Sequence, residues 1–73
     1  MPKLPVVSGK ECRKALGHLG FEDARQRASH LVMRRGESGC VVPMHTKIKT
    51  GTLSGILKQA GVSVEEFIEA LGR

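Results

Sequence analysis

Two serine-to-glutamate boxes, Ser8-Gly9-Lys10-Glu11 and Ser63-Val64-Glu65-Glu66, fix where two helices of this chain begin. In each, the serine hydroxyl accepts from the amide three residues on. The glutamate carboxylate reaches back to the serine amide, so two otherwise unpaired donors of the first turn are satisfied. Val7 with Cys12, and Val62 with Phe67, stand where a hydrophobic staple closes the same turn. Apolar stripes at helical spacing follow: Cys12, Ala15, Leu16 and Leu19 in the first, Val64, Phe67, Ile68 and Leu71 in the last. Gly20 and Gly72 stand where such helices stop. A third stripe, Leu53, Ile56, Leu57 and Ala60, lies between Thr50, an expected N-cap, and Gly61, an expected stop.

Between the first and second of these helices, residues 21–49 are left for other structure. Residues 21–27 carry no helical stripe and no cap, and Ala28-Ser29 interrupts them. Residues 30–34 resume with apolar side chains, residues 35–39 read as a loop with two glycines, and residues 40–42 form a third apolar run ended by Pro43. The connections are too short for parallel crossovers, so the three runs form an antiparallel meander. Period two puts His30, Val32 and Arg34 on one side of the middle strand and Leu31, Met33 and Arg35 on the other; both sides carry apolar residues, so the pattern leaves the buried face open. The expected class is α+β, in the order α-β-β-β-α-α. Helices cover one face of the sheet and the other is open to a partner, as in double-stranded-RNA-binding domains. Residues 1–73 are expected to form a single domain.

The chain carries 12 Lys and Arg against 7 Asp and Glu, for a formal charge of +5. A small basic domain favours an anionic partner, nucleic acid first. Phe21 and Phe67 are its only aromatic residues apart from histidine, which argues against base stacking on an aromatic sheet. Cys12 and Cys40 stand alone, without zinc-ligand spacing, and no metal or other cofactor is expected. Residues 1–7 read as an extended lead-in that Pro2 and Pro5 keep out of a helix, too short for a signal segment. No apolar run approaches the ~20 residues of a membrane span. The expectation is a cytoplasmic protein with free thiols and no membrane partner.

The stretch Arg25-Gln26-Arg27-Ala28-Ser29-His30 concentrates the chemistry. Arginine is a permanently charged phosphate donor, and histidine can give or take a proton near neutral pH. Arg25 and Arg27 share one side of the first strand at period two, suited to holding phosphates, and Lys47 and Lys49 add backbone contacts. Ser29 either orients His30 or turns the chain. His45 is a weaker second candidate for proton transfer, for which a loop histidine before the next helix is the favoured reading, and His18 reads as exposed helix surface. Glu65 and Glu66 sit where a helix dipole favours negative charge, which explains them without catalysis.

Six segments occur together in a family order: Ser8-Gly9-Lys10-Glu11, Leu19-Gly20-Phe21, residues 25–30, Val42-Pro43-Met44-His45, Gly51-Thr52-Leu53 and residues 56–63. As a set, running from about Leu4 to Leu71, they resemble the HicA toxins of bacterial type II toxin–antitoxin modules. The resemblance implies the α-β-β-β-α fold, ribosome-independent cleavage of mRNA, and neutralisation by a HicB-like antitoxin in a hetero-oligomer that covers the active surface. The family's catalytic histidine, which follows a Gly-Ser pair, corresponds to His30. Ala28 stands where the family has that glycine, and Leu31 where it often has a second histidine.

Such cleavage uses the RNA 2′-oxygen as nucleophile. It needs a base, an acid and positive charge, but no metal, and it spares DNA. Two other readings fit the same composition: a non-catalytic RNA-binding module of double-stranded-RNA-binding type, and a DNA-binding helical domain of a repressor.

Overall fold

The computed structural model describes residues 3–72 and follows the expected order: α1 (Gly9–His18), β1 (Glu22–Arg27), β2 (His30–Arg35), β3 (Ser38–Pro43), α2 (Thr50–Ala60) and α3 (Val64–Leu71). The strands form one antiparallel sheet, β1-β2-β3. Leu31 and Met33 of β2 and Cys40 and Val42 of β3 are buried in one core with Leu16 of α1, Leu53 and Leu57 of α2 and Phe67 of α3. The buried face of the middle strand is therefore the Leu31–Met33 face, and His30, Val32 and Arg34 lie on the other.

Both capping boxes form. Glu11 N–H donates to the Ser8 hydroxyl at 3.1 Å and Ser8 N–H to the Glu11 carboxylate at 2.9 Å. The second box repeats this at 3.1 and 3.0 Å between Ser63 and Glu66. The hydrogen bond from the Ser63 amide holds the Glu66 carboxyl below its ordinary range. At the end of α1, Phe21 N–H donates to the Leu16 carbonyl and Gly20 N–H to the Gly17 carbonyl, with Gly20 at φ +96°. This six-to-one and five-to-two pair closes the helix and turns Phe21 onto the core. Gly61, at φ +73°, ends α2 in the same way through bonds from Gly61 and Val62 to Lys58 and Leu57.

Cys12 and Cys40 are free and buried, and burial pushes the Cys12 thiol up to about 12. Of the lead-in prolines, Pro5 lies in non-helical chain and Pro2 lies outside the described residues. Among the described residues no helix is long and apolar enough to cross a membrane.

Two boundaries differ from the sequence expectation. Thr50 is not the cap of α2; Lys49 holds the cap position in extended conformation and makes no side-chain capping bond. Ile48 N–H donates to the Val7 carbonyl at 2.7 Å, so that bridge keeps the chain extended up to Lys49 and Thr50 enters already helical. The loop expected over 35–39 shrinks to Gly36-Glu37, because Arg34 pairs with Gly39 and Arg35 with Ser38. Arg35 also donates from Nη1 to the Leu19 carbonyl at 2.8 Å and lies 4.7 Å over the Phe21 ring. The end of β2 is thus tied to the end of α1.

The β1–β2 turn is the strained point. Arg27 and His30 are paired, leaving Ala28-Ser29 as a two-residue connection with Ala28 at φ +54°. Positive φ at the first central residue alone is the pattern of a type II′ turn, a position that favours glycine. A left-handed alanine costs about 1–2 kcal/mol. Ala28→Gly is expected to stabilise the protein by about 1 kcal/mol, after glycine's greater unfolded-state entropy is deducted. A urea-denaturation midpoint that rises without a change in slope is the expected readout.

Candidate active site

His30 opens β2 beside that turn and is exposed on the uncovered face of the sheet. Its cross-strand partners are Arg27 on β1 and Pro43 on β3, and in the next row Arg25 faces Val32 and Val41. Directly opposed residues in an antiparallel pair share a face, so Arg25, Arg27 and His30 lie on one surface. Simple alternation would have carried Asp23 onto that surface too. Instead the β1–β2 register shifts between Asp23 and Arg25, with Asp23 opposite Met33, a core-facing residue. A bulge of this kind inserts one unpaired residue and reverses the side-chain alternation beyond it. The Asp23 carboxylate therefore turns to α1, where Arg13 grips it from Nε and Nη2 at 2.6–3.1 Å. That hydrogen bond holds the Asp23 carboxyl below its ordinary range. The bulge thus moves Asp23 off the face that carries the two arginines, and puts Glu22, opposite Arg34, at the end of that face away from His30.

The segment leaving β3 completes the site. Met44 N–H donates to the Ser29 carbonyl at 2.6 Å, extending the β2–β3 pairing past the strand ends. Ser29 is half-buried in the turn and its backbone anchors this segment. The chain then turns so that the His45 ring stands 6.4 Å from the His30 ring, centroid to centroid, at an interplanar angle of 67°. Between them lies an open cleft of about 440 Å³, also lined by Lys47, Lys49 and Thr52. The amino end of α2 borders it through Lys49 and Thr52, with no acidic residue in its first turn. A helix amino terminus carries partial positive charge and unpaired N–H groups, which adds to the two lysines in favouring an anion.

The structure brings every sequence-selected site residue to this end of the sheet: His30, Arg25 and Arg27 on the open face, Ser29 in the turn, Lys47 and Lys49 at the cleft. It also adds two residues to those selected from the sequence. One is His45, the weaker second candidate, which local pattern favours as a loop histidine and the β3 exit turns toward His30. The other is Gly9, whose N–H donates to the His45 carbonyl at 2.8 Å. A Cβ on Gly9 would lie 2.6 Å from both Met44 Cα and the Pro43 carbonyl oxygen. The Pro43–His45 backbone thus rests directly on the first turn of α1. The sequence signal for it was present but ambiguous, since glycine inside a capping box has no local need to be glycine.

Among the described residues no group of three or more His, Cys, Asp or Glu side chains is placed to hold a metal ion. A family model described as HicA toxin of bacterial toxin-antitoxin matches residues 9–62, from the first turn of α1 to just past the end of α2. No curated protein and no solved structure matches the chain.

Gly9→Ala is expected to push the Pro43–His45 backbone off α1 and to cost about 1–3 kcal/mol, the usual range for overpacking. Chemical denaturation measures the loss. The same variant should shift the His45 ring resonances in NMR while leaving those of His18 in place.

Proposed function

The chain belongs to the HicA toxin family of bacterial toxin–antitoxin systems, and from that premise we propose that it is a metal-independent endoribonuclease that cleaves mRNA with His30. The observation that carries this reading is the exposed His30 imidazole. It shares a sheet face with Arg25 and Arg27 and opens onto a cleft edged by Lys47 and Lys49. The arrangement suits a phosphodiester: cations hold the phosphate while an imidazole moves a proton at one of its oxygens.

The RNA 2′-hydroxyl supplies the nucleophile. As the O2′–P bond forms and the P–O5′ bond breaks, a proton leaves O2′ and another reaches O5′, giving a 2′,3′-cyclic phosphate and a 5′-hydroxyl. Negative charge gathers on the non-bridging oxygens of the five-coordinate phosphorus, where arginine and lysine act most strongly. Ser29 serves the site through the turn that fixes His30. A surface site of this kind takes an extended single strand more readily than an enclosed pocket would, and the scarcity of aromatic residues points to backbone rather than base recognition.

Toxins of this family act within modules that include an antitoxin. The partner in this reading is a HicB-like protein that forms a hetero-oligomer and covers the His30 face, and the toxin acts on cytoplasmic mRNA to block translation and growth.

RNA incubated with the protein in excess chelator should shorten, whereas a DNA strand of the same sequence should stay whole. His30→Ala should lower the rate by roughly 10²–10⁴-fold. Full activity in that variant removes His30 from the reaction, and RNA that changes mobility but not length supports a binding module instead. Separately, the Arg25→Ala, Arg27→Ala double variant should flatten the dependence of log affinity on log salt for single-stranded RNA. The expected change in slope is about 1.4, at roughly 0.7 per lost phosphate contact. It is best measured on uncleavable 2′-deoxy-substituted strands.

A further inference from the structure

Transfer of phosphorus from O5′ to O2′ needs two proton movements on opposite sides of one phosphate, and a single imidazole placed at one oxygen does not reach both at once. We propose that His45 is the second proton-transfer residue of the site, and that His30 and His45 divide the roles of general base and general acid across the cleft. The inference rests on the ribonuclease reading of His30 and deepens it.

Three observations support the pairing. The first is spacing. The rings stand 6.4 Å apart and far from coplanar, near the outer limit of aromatic pairing. A proton-transfer group works within roughly 3 Å of the oxygen it serves. Two imidazoles at this separation therefore leave room for one phosphate between them, with its attacking and leaving oxygens turned to opposite rings.

The second is fixation. Both rings are exposed, yet each hangs from backbone held on two sides. His30 is paired with Arg27 and Pro43. The His45 carbonyl is held by Gly9 N–H at 2.8 Å, and Met44 just before it is tied to Ser29 at 2.6 Å. A solvated loop histidine has no need of a helix turn stripped of its Cβ to seat it.

The third is the absence of a better candidate. Among the described residues lining the cleft there is no carboxylate, so an imidazole is the available base. The other titratable groups there are Lys47 and Lys49. An ammonium group ordinarily titrates at about 10.4, too high for efficient proton donation near neutral pH, while imidazole is matched to it. The lysines are suited to holding the phosphate, the histidines to moving its protons. In the forward step the neutral ring takes the proton from O2′ and the protonated ring gives one to O5′. The two rings end with exchanged protonation states and reset through solvent.

The test uses the full chain and two RNA strands of a sequence it cleaves. One is unmodified; the other carries a bridging 5′-sulfur at the cleaved linkage, a leaving group that departs without a proton. On the unmodified strand His45→Ala and His45→Gln should each slow cleavage by roughly 10²–10⁴-fold, as His30→Ala does, while their melting temperatures stay at that of the unsubstituted protein. On the sulfur strand the variant lacking the general acid should regain most of its lost rate, and the variant lacking the base should not. Rescue of the His30 variant alone or of the His45 variants alone supports the pair and assigns the roles. His45 variants that cleave unmodified RNA at the full rate overturn it, as does rescue of both positions or of neither. If the unsubstituted protein leaves the unmodified strand whole, the ribonuclease reading itself fails.

Discussion

The contact on which the rest depends is the seat of the Pro43–His45 backbone against Gly9. Helix and sheet ordinarily meet through side chains, with a layer of Cβ atoms between them. Here the first turn of α1 touches the strand exit backbone to backbone, and a methyl group would intrude to 2.6 Å. The approach is closed by Gly9 N–H to the His45 carbonyl and, a few residues on, by Ile48 N–H to the Val7 carbonyl. The segments before α1 and after β3 are thereby fastened together on both sides of Lys47. That fastening sets the direction of His45, the floor of the cleft and the start of α2.

A chain of this size has little core to spare, and its apolar residues are spent on joining three helices to one sheet face. The opposite face keeps only Val32, half-buried, and Val41, 38% exposed, among its apolar residues, and is otherwise free to carry charge. The bulge in β1 sends Asp23 to Arg13 and leaves Arg25 and Arg27 beside His30. Strain is placed here too. Ala28 takes a left-handed conformation because the two-residue link between Arg27 and His30 demands one, and the pairing on both sides of the turn over-determines it.

Much of the fold was legible in the sequence because the signals were local. A capping box is closed within four residues, and a glycine-terminated stripe reports its own end; both boxes, all three stops and the strand order could be read this way. That residues 25–30 gather cations and an imidazole at one turn was legible for the same reason, since Arg25, Arg27 and His30 occupy adjacent rows of one hairpin. Thr50 misled because its local fitness as a cap was overridden by a bridge to Val7, more than forty residues away in sequence. The loop over 35–39 misled because two glycines suggested slack, where Gly36 alone, at φ +60°, makes the turn and Gly39 pairs in the ladder.

By itself, then, the sequence determined the three helices, the meander between them and the residues that bring positive charge and an imidazole to one turn. Those depend on hydrogen bonds and periodicities that span a few residues. Tertiary structure alone decided which face of the sheet was covered, that Asp23 would part from the arginines, and that His45 would face His30. Each of these is fixed by what packs against a segment: a core that claims Leu31 and Met33, a helix arginine that claims a carboxylate, and a helix turn without a Cβ on which a loop can rest. No local pattern carries that information, because the deciding contact lies elsewhere in the chain.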